Sequence, residues 1–411
     1  MSESKHTLRR VVISLYVPTL VMGFCGGLIV PILPLLALSF DVSYGMTGVV
    51  LAASGIGTLI SDLPVGTLVR RIGYRKGMIA GAIVMFAAAL AVFAAGSIVE
   101  VFIYRLFTGL GLTLWSISRQ SYLYEVIGQA RLGRASALMG GIHRLTSFIA
   151  PALGGFMGEA LGLRSPFLLY AVLSVVSLII TLAWVPKPEL EDRNVTDERS
   201  GRFKDHLRAN LRIILRGGPG YAMGSITRSS RNVVIPLFAA EVIGLSTTSI
   251  GLITSLSFGS DLIMVYPAGV IMDRWGRKFA YVPSFFLQGV ALSLIPFTAS
   301  FTELLTAAMA LGFSNGIGAG TMLTLAGDLA PQKGRGDFLG IWHFVGDVGG
   351  TSAPLIVGKV GDIAGLGASA LVAGASGILA AALLGLLIPE TLVKPTKGEV
   401  AAGARRNTRK L

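Results

Sequence analysis

The sequence predicts an all-α polytopic membrane protein in which twelve transmembrane helices form two pseudo-symmetric six-helix bundles. Of its 411 residues, 53% are hydrophobic and only 14% are charged, whereas a soluble domain carries about 25% charged residues. The apolar residues fall into long segments along the whole chain, and the two halves share residues at a constant offset of 203 positions. The composition excludes a soluble enzyme.

Twelve apolar segments are long enough to cross about 30 Å of hydrocarbon. Only helices suit them, because lipid offers no partner for the backbone groups of an open sheet edge. The first segment is too long and too rich in proline for a cleaved signal peptide, so we expect a retained helix. The predicted spans are 11–38, 44–69, 78–96, 100–124, 134–158, 165–186, 218–240, 248–270, 279–297, 302–326, 337–358 and 368–388.

Lys and Arg are distributed unequally between the two sides of the predicted bundle. The two tails and the loops on their side carry 28 of the 35 basic residues, whereas the opposite loops carry only Arg164 and Lys359. Cytoplasmic loops show such an excess, so we expect both termini in the cytoplasm and the chain in the cell membrane. The dispersed charges also account for the net charge of +13 without nucleic acid as a partner.

Internal duplication predicts the domain organisation. We expect a six-helix bundle over 1–186, a cytoplasmic linker over 187–216, and a second six-helix bundle with a basic cytoplasmic tail over 217–411. Two halves related by duplication are typical of secondary transporters. The pairs matched at the offset of 203 include Gly48 with Gly251, Gly73 with Gly276, Glu125 with Asp328, and Pro151 with Pro354.

The loop after the eighth span combines glycines with a cluster of acidic and basic residues. Its glycines permit a tight turn and close helix contact, while the charges can join neighbouring helix ends and part as the helices move. The loop has the sequence Gly269-Val-Ile-Met-Asp273-Arg274-Trp-Gly276-Arg277-Lys278.

This loop resembles the cytoplasmic signature GxLxDRxGRK of the major facilitator superfamily, and the resemblance covers nearly the whole chain. It implies a latch of Asp273, Arg277 and Asp328. The first-half loop departs from the signature, with Arg70 and Tyr74 in place of the aspartate and the latch arginine. Glu125 is therefore expected to pair with Arg71 or Arg75, and a mere positive anchor is the alternative for this loop. The gating candidates are Gly66, Arg71, Gly73, Glu125, Pro151, Gly269, Asp273, Arg274, Gly276, Arg277 and Asp328.

Three further segments resemble motifs of the same superfamily. Arg105-Leu-Phe-Thr-Gly109-Leu-Gly111 resembles the RxxxGxG motif, whose arginine is implicated in proton coupling. Ala150-Pro151-Ala-Leu-Gly154-Gly155 is similar to the GPxxGG signature of exporters and antiporters, with Ala150 in place of the first glycine. Pro31-Ile-Leu-Pro34 resembles a pattern of the drug:proton antiporter branch. The resemblance implies a proton as coupling ion and no other cofactor.

Eight arginine and aspartate residues lie inside predicted spans and away from the span ends. An ionised side chain at the bilayer centre costs about 2.5–3.5 kcal/mol on insertion scales, so these groups are expected to face a polar cavity or one another. Guanidinium groups match carboxylate or phosphate oxygens in bidentate geometry and stay charged at every relevant pH. The substrate-binding candidates are Arg105, Arg144, Arg228, Arg231 and Asn232.

The proton-coupling candidates are Asp347, ranked first, then Asp261 and Asp62, with His343 one turn before Asp347. Arg144 and Asp347 occupy equivalent positions in the two halves and are expected to lie close together. The alternative is an internal salt-bridge network in which arginines merely neutralise aspartates.

The sequence has no GxxxxGK[ST] or HExxH motif, its GxSxG match at Gly312-Phe-Ser314-Asn-Gly316 lies inside a predicted transmembrane span, and the single cysteine, Cys25, excludes an intramolecular disulfide. We therefore expect a monomeric secondary transporter rather than an enzyme, with the lipid bilayer and a small-molecule substrate as partners. The favoured function is proton-coupled efflux of a small anionic or zwitterionic amphiphile by alternating access. A proton-coupled uptake symporter and a non-transporting membrane receptor or scaffold are the alternatives.

Overall fold

A computed structural model describes residues 12–127, 129–187, 199–331 and 334–392, and this part of the chain is helical with no β-strand. The first half contains α1 (Val17–Ile29), α2 (Ile32–Leu38), α3 (Tyr44–Ile72), α4 (Tyr74–Ala94), α5 (Ile98–Val126), α6 (Gln129–Leu161) and α7 (Ser165–Trp184). The second half contains α8 (Arg199–Phe238), α9 (Thr247–Arg274), α10 (Lys278–Leu294), α11 (Phe301–Ile317), α12 (Thr321–Leu329) and α13 (Arg335–Leu387).

The twelve predicted spans all correspond to helix, with local differences. The first span is divided into α1 and α2, and the tenth into α11 and α12. The eleventh and twelfth spans are two helices that meet at Gly365 within α13, and the non-helical φ of 83° at this residue is open to glycine but unfavourable for other residues. The seventh span starts earlier than expected, because α8 already begins at Arg199 within the predicted linker. Residues 188–198 of that linker and most of both tails lie outside the described residues.

By length and apolar composition, eight helices of the described part could cross a membrane. They are Val12–Leu38, Tyr44–Asp62, Tyr74–Ala94, Ile98–Val126, Ser165–Trp184, Thr247–Arg274, Lys278–Phe297 and Arg335–Leu387, the last of which holds two predicted spans.

Serine caps fix where the helices begin, and they follow the internal repeat. The hydroxyl of Ser43 accepts a hydrogen bond from a backbone N–H in the first turn of α3, and Ser246, 203 residues later, caps α9 in the same way. Ser97 caps α5 and Ser300 caps α11. In α5 and α11, a glutamate three residues after the serine accepts a hydrogen bond from the backbone N–H of the residue before the serine, in an arrangement that resembles a capping box.

The two halves pack against each other through two equivalent helix pairs, α3 with α13 and α6 with α9. The glycines matched by the repeat lie at these crossings. Gly48 on α3 faces the carbonyl of Pro354, and Gly251 on α9 faces the carbonyl of Pro151. A Cβ atom on either glycine would overlap that carbonyl, so both crossings depend on the absence of a side chain.

Each half also has its own buried core. Tyr122 and Phe167 are fully buried in the first half, whereas Trp342 stacks between Tyr221 and Phe338 in the second, at centroid distances of 5.2 and 6.0 Å. Close-packed cores resist deformation, so each half is suited to move as a rigid body against the other.

The bundle has two chemically different ends. The basic end is the one where α3 and α9 finish, with Arg70, Arg71 and Arg274 in their last turns. At the other end, here called the acidic end, α3 and α9 begin. The acidic end carries Glu100, Glu159, Glu241, Glu303 and Asp362.

Candidate functional site

A central cavity of about 580 Å³ lies between the two halves. Apolar side chains such as Met22, Leu33 and Leu51 form much of its first-half wall, and α8 and α13 form the second-half wall. Four of the predicted site residues line this cavity. They are Arg105, Arg228, Asn232 and Asp347.

Arg105 brings a guanidinium group into the cavity from α5. Its Nη2 donates to the Oγ of Ser54 at 2.9 Å, and its Nε is buried without a partner among the described residues. No carboxylate of the described residues lies within 4.0 Å of Arg105. Its charge is therefore available to a bound molecule.

Arg228 brings a second guanidinium group into the cavity from α8. Its Nη2 lies 3.4 Å from the carbonyl oxygen of Gly318, and its guanidinium carbon lies 4.8 Å from the ring centre of Phe285. Its Nε has no partner in the described part of the chain, and no described carboxylate pairs with it. Because these contacts leave the charge uncompensated, Arg228 also favours an anionic ligand.

Arg231 lies one turn further along α8 and is paired. Its Nη1 and Nη2 each lie 3.4 Å from an oxygen of Asp261, and Asn315 donates to the same carboxylate at 3.0 Å. The ring of Phe258 covers the guanidinium group at 3.9 Å. Both side chains of the pair are buried. Neutralisation of arginine by aspartate thus holds for Arg231 but not for Arg228.

A second cavity of about 230 Å³, here called the side pocket, adjoins the central cavity within the second half. Arg228, Ser229 and Asn232 line both cavities. The remaining lining residues of the side pocket are Arg231, Phe258, Gln288 and Asn315.

Asp347 is exposed in the central cavity on α13. It forms no hydrogen bond or ion pair with the described residues, and Asp62, His343 and Tyr221 lie within electrostatic range of it. Arg144 and Asp347, which were expected to lie close together, form no ion pair within 4.0 Å in this conformation. Arg144, Asp62 and His343 lie outside the linings of both cavities.

The second-half loop forms an ion-paired cluster at the basic end. Arg277 Nε donates to Asp328 Oδ2 at 3.0 Å, whereas Asp273 is only at 4.0 Å and is 82% exposed. Glu390, which the sequence analysis missed, accepts hydrogen bonds from the backbone N–H groups of Arg277 and Lys278 at 2.9 and 3.0 Å.

The pKa of Glu390 lies below its usual range. Burial opposes ionisation of this carboxyl, but hydrogen bonds from the backbone N–H groups of Leu392, Lys278, Arg277 and Thr391 outweigh it. The carboxylate therefore binds the start of α10 to the chain after α13. A glutamate just beyond the last span was the only sequence signal for this contact.

The first-half loop is organised differently. The expected pairing of Glu125 with Arg71 or Arg75 is wrong, because Arg75 Nη2 donates instead to the carbonyl of Leu182 at 2.7 Å. Tyr74, which replaces the latch arginine, interacts with Glu125. The Tyr74 hydroxyl lies within hydrogen-bonding and electrostatic range of the Glu125 carboxylate.

The glycines of the two loops fall into two groups. Gly73 and Gly276 have φ of 82° and 122° and allow the turns, as expected. Gly66 and Gly269 were expected to allow close helix contact, but a Cβ on either would meet open space. Arg71 and Arg274 are exposed at this end.

Two carboxylate contacts between the halves close the acidic end beside a longer hydrogen bond from Tyr44 Oη to Glu241 Oε2 at 3.4 Å, and the sequence analysis missed all three. In the first clasp, Asp362 Oδ2 accepts hydrogen bonds from Gly45 N at 3.0 Å and Ser43 Oγ at 2.9 Å. In the second clasp, Glu159 Oε2 accepts from Thr248 N at 2.8 Å. Each carboxylate thus binds the first turn of a helix in the other half, where the helix dipole favours negative charge.

The clasps are related by the internal repeat. Glu159 and Asp362 are 203 positions apart, as are Gly45 and Thr248. Hydrogen bonds from the side chain and the backbone N–H of Thr248 keep the pKa of Glu159 below its usual range. The offset was the signal that could have revealed these residues.

Comparison with known proteins identifies the family. The model of the Major Facilitator Superfamily matches residues 15–227 and again 217–410, which together cover nearly all of the chain. The chain belongs to the major facilitator superfamily. It is therefore an integral membrane protein and a transporter of this type, and the double match agrees with its two halves.

The relatives named by sequence comparison differ in what they carry. The probable nitrate transporter NarT of Staphylococcus epidermidis is 21% identical over 351 residues, which cover 84% of this chain and 88% of that protein. The chromaffin granule amine transporter of Rattus norvegicus is 24% identical over 294 residues, covering 70% of this chain but only 54% of that protein. These relatives do not confirm the expected likeness to the drug:proton antiporter branch.

Solved structures confirm the fold. A crystal structure of the nucleoside transporter NupG has a TM-score of 0.78 at 12% identity and covers 92% of this chain and 100% of that one. A POT family transporter in complex with 5-aminolevulinic acid has a TM-score of 0.73 at 13% identity and covers 92% and 95%.

Proposed function

We propose that this chain is a proton-coupled exporter that moves a small anionic or zwitterionic amphiphile by alternating access between its halves. One observation carries the proposal. Arg105 from the first half and Arg228 from the second enter a single cavity, and neither has a described carboxylate within 4.0 Å. The apolar part of the cavity wall suits the body of an amphiphile, and the arginines suit its acidic group.

Asp347 is the proposed coupling residue. It lines the same cavity and lacks a bonded partner, whereas Asp261 is held by Arg231 and Asn315. A carboxylate in this position can bind either a proton or the ammonium group of a zwitterion. If Asp347 binds the proton and the substrate only in turn, the transporter exchanges one for the other across the membrane. Efflux driven by proton entry requires this exchange.

The conformation fits the loading step of such an exporter. The two clasps close the acidic end, and no described hydrogen bond or ion pair joins the halves at the basic end. The excess of Lys and Arg favours a cytoplasmic basic end. The cavity then faces the cytoplasm, from which an exporter takes its substrate, and we expect the protein to work as a monomer in the bilayer.

Flux in proteoliposomes tests this function with octylphosphocholine as a zwitterionic probe. An acidic lumen should drive accumulation of labelled probe, because protons leave as the probe enters. Asp347→Asn should abolish the response to the gradient while keeping exchange of labelled for unlabelled probe, and Asp62→Asn, at a carboxylate that lines neither cavity, is the matched control that keeps both. Accumulation driven by an acidic exterior would instead establish symport and contradict the proposal.

A further inference from the structure

We propose that the side pocket is the binding site for the anionic head group of the substrate, while the apolar body remains in the central cavity. This inference rests on the proposed function and adds where the head group binds and which half selects its charge. The two cavities adjoin at Arg228, Ser229 and Asn232, which line both.

The sizes of the two cavities support this division. Sites that enclose a drug-sized molecule have volumes of about 300–1,000 Å³. The central cavity, at about 580 Å³, lies within that range, whereas the side pocket, at about 230 Å³, lies below it. The side pocket therefore has room for a head group but not for a whole amphiphile.

The chemistry of the side pocket is polar and its charge is unbalanced. Six of its seven lining residues are polar, and the seventh is Phe258. Asp261 neutralises Arg231, and its oxygens are already occupied by Arg231 and Asn315. Arg228 has no such partner. Two arginines against one aspartate leave one positive charge, which a monoanionic head group would balance.

Two buried atoms at the mouth of the side pocket have unused hydrogen-bonding capacity. Nε of Arg228 is a donor, and Oδ1 of Asn232 is an acceptor, and neither has a partner among the described residues. Buried polar atoms are normally satisfied. A carboxylate or phosphate group with a neighbouring donor would satisfy both.

The same arrangement rejects cations. A purely cationic head group in the side pocket would lie beside Arg228 and Arg231, with no carboxylate free to receive it. Repulsion of the wrong charge is an effective source of specificity. The second half alone would thus separate anionic from cationic amphiphiles.

Calorimetric titration of the full chain in a non-ionic detergent tests the charge preference with two probes of equal chain length. Octyl phosphate should bind at least about tenfold more tightly than octyltrimethylammonium. Arg228→Gln should weaken octyl phosphate binding about tenfold or more, as expected for loss of a charged hydrogen bond. Arg228→Lys should recover binding to within about threefold of the parent.

Arg119→Gln is the matched control. Arg119 also packs on an aromatic ring, that of Trp115 at 5.0 Å, and its Nε is also without a described partner. It lines neither cavity. Its replacement should change the affinity for octyl phosphate by less than about twofold.

Cysteine protection locates the head group, because the native Cys25 is buried. Octyl phosphate should slow alkylation of Gln288→Cys, in the side pocket, and of Leu51→Cys, in the central cavity. Octanol, which has the same tail without the charge, should protect only Leu51→Cys.

The outcomes separate this inference from the proposed function. Equal weakening by Arg228→Gln and Arg119→Gln, tighter binding of the cation, or no protection of Gln288→Cys would overturn the side pocket as the head-group site, even with flux intact. Binding that depends on Arg228, without flux of octylphosphocholine, would support the side pocket and overturn the exporter.

Discussion

The two ends of the molecule use the internal repeat differently. At the acidic end, the clasps of Asp362 with Gly45 and of Glu159 with Thr248 are the same contact made twice. At the basic end, the second half has a latch of Arg277 with Asp328, whereas the first half has no ion pair of this kind among its described residues.

The difference follows from what each contact joins. The clasps connect one half to the other across a pseudo-twofold relation, so each half must present both a carboxylate and a helix start. The latch connects helices of a single half, so either half can change without altering the other. Duplicated sequence therefore retains equivalent chemistry where the halves meet and differs where each half holds its own helix ends.

The largest effect should come from removing both clasps. Asp362→Asn combined with Glu159→Gln should increase labelling of a cavity cysteine, Ser225→Cys, from the acidic end about tenfold, because loss of negative charge weakens the contacts with the helix starts. Each single change should give about a threefold increase. The measurement is the rate of reaction with an impermeant maleimide in oriented vesicles.

The two single variants provide the internal comparison. Increases that agree within about twofold would support equivalent clasps, and an effect confined to one variant would break the equivalence. Because the pKa of Glu159 is lowered, its clasp is fully ionised above the usual value of about 4.3 and weakens only as pH falls through the lowered value. Acidic-end labelling of Ser225→Cys, divided by the rate for an exposed reference cysteine because thiol reactivity itself rises with pH, should therefore not change between pH 5.5 and 8.

The asymmetry of the basic end predicts unequal effects at equivalent positions. Asp328→Asn removes the partner of Arg277 and the acceptor for Thr391 Oγ1 at 2.8 Å, and should cost about 1–2 kcal/mol of stability. Glu125→Gln should cost less than half as much. Melting temperatures in detergent measure both, and equal losses would show that the two loops are not different in stability.

Glu390 adds a second difference between the halves at the basic end, because the equivalent residue of the first half, 203 positions earlier, is Lys187. Its lowered pKa means that its stabilisation is complete above the usual value of about 4.3 and is lost as pH falls through the lowered value. Glu390→Gln should therefore lower the melting temperature by the same amount at pH 5.5 and pH 8. A decrease in melting temperature that differs between these two pH values would contradict a Glu390 carboxylate that is ionised at both.

The smallest effect is expected at the aspartate that the family signature emphasises. Asp273 is 82% exposed and lies 4.0 Å from Arg277, and exposed pairs contribute about 0–1 kcal/mol. Asp273→Asn should leave the melting temperature nearly unchanged, whereas Asp328→Asn should not. A larger fall in melting temperature for Asp273→Asn than for Asp328→Asn would contradict the assignment of the main latch contact to Asp328.

Sequence patterns predicted much of this architecture. The helices were within reach because hydrophobic periodicity and internal repetition report directly on burial and duplication. The Arg277–Asp328 contact followed from the resemblance of the loop to the family signature, and the two cavity arginines from the cost of charge inside a span. The break between the last two spans falls at Gly365, within the predicted connection.

Other features depend on packing that no local pattern encodes. Arg144 and Asp347 are equivalent in the repeat, but this equivalence does not fix the distance between the two side chains, and they form no ion pair within 4.0 Å in this conformation. Arg228 and Arg231 have the same residue type on neighbouring turns, and only the position of Asp261 distinguishes the free guanidinium from the paired one.

Proton release on substrate binding tests the central claim most directly. Octylphosphocholine added to the purified chain in weakly buffered detergent should displace up to one proton per chain at some pH between 5 and 8, detected with a pH-sensitive dye. Asp347→Asn should abolish the release and Asp62→Asn, which lies outside both cavities, should retain it. Proton uptake on binding, or undiminished release from Asp347→Asn, would contradict exchange at Asp347.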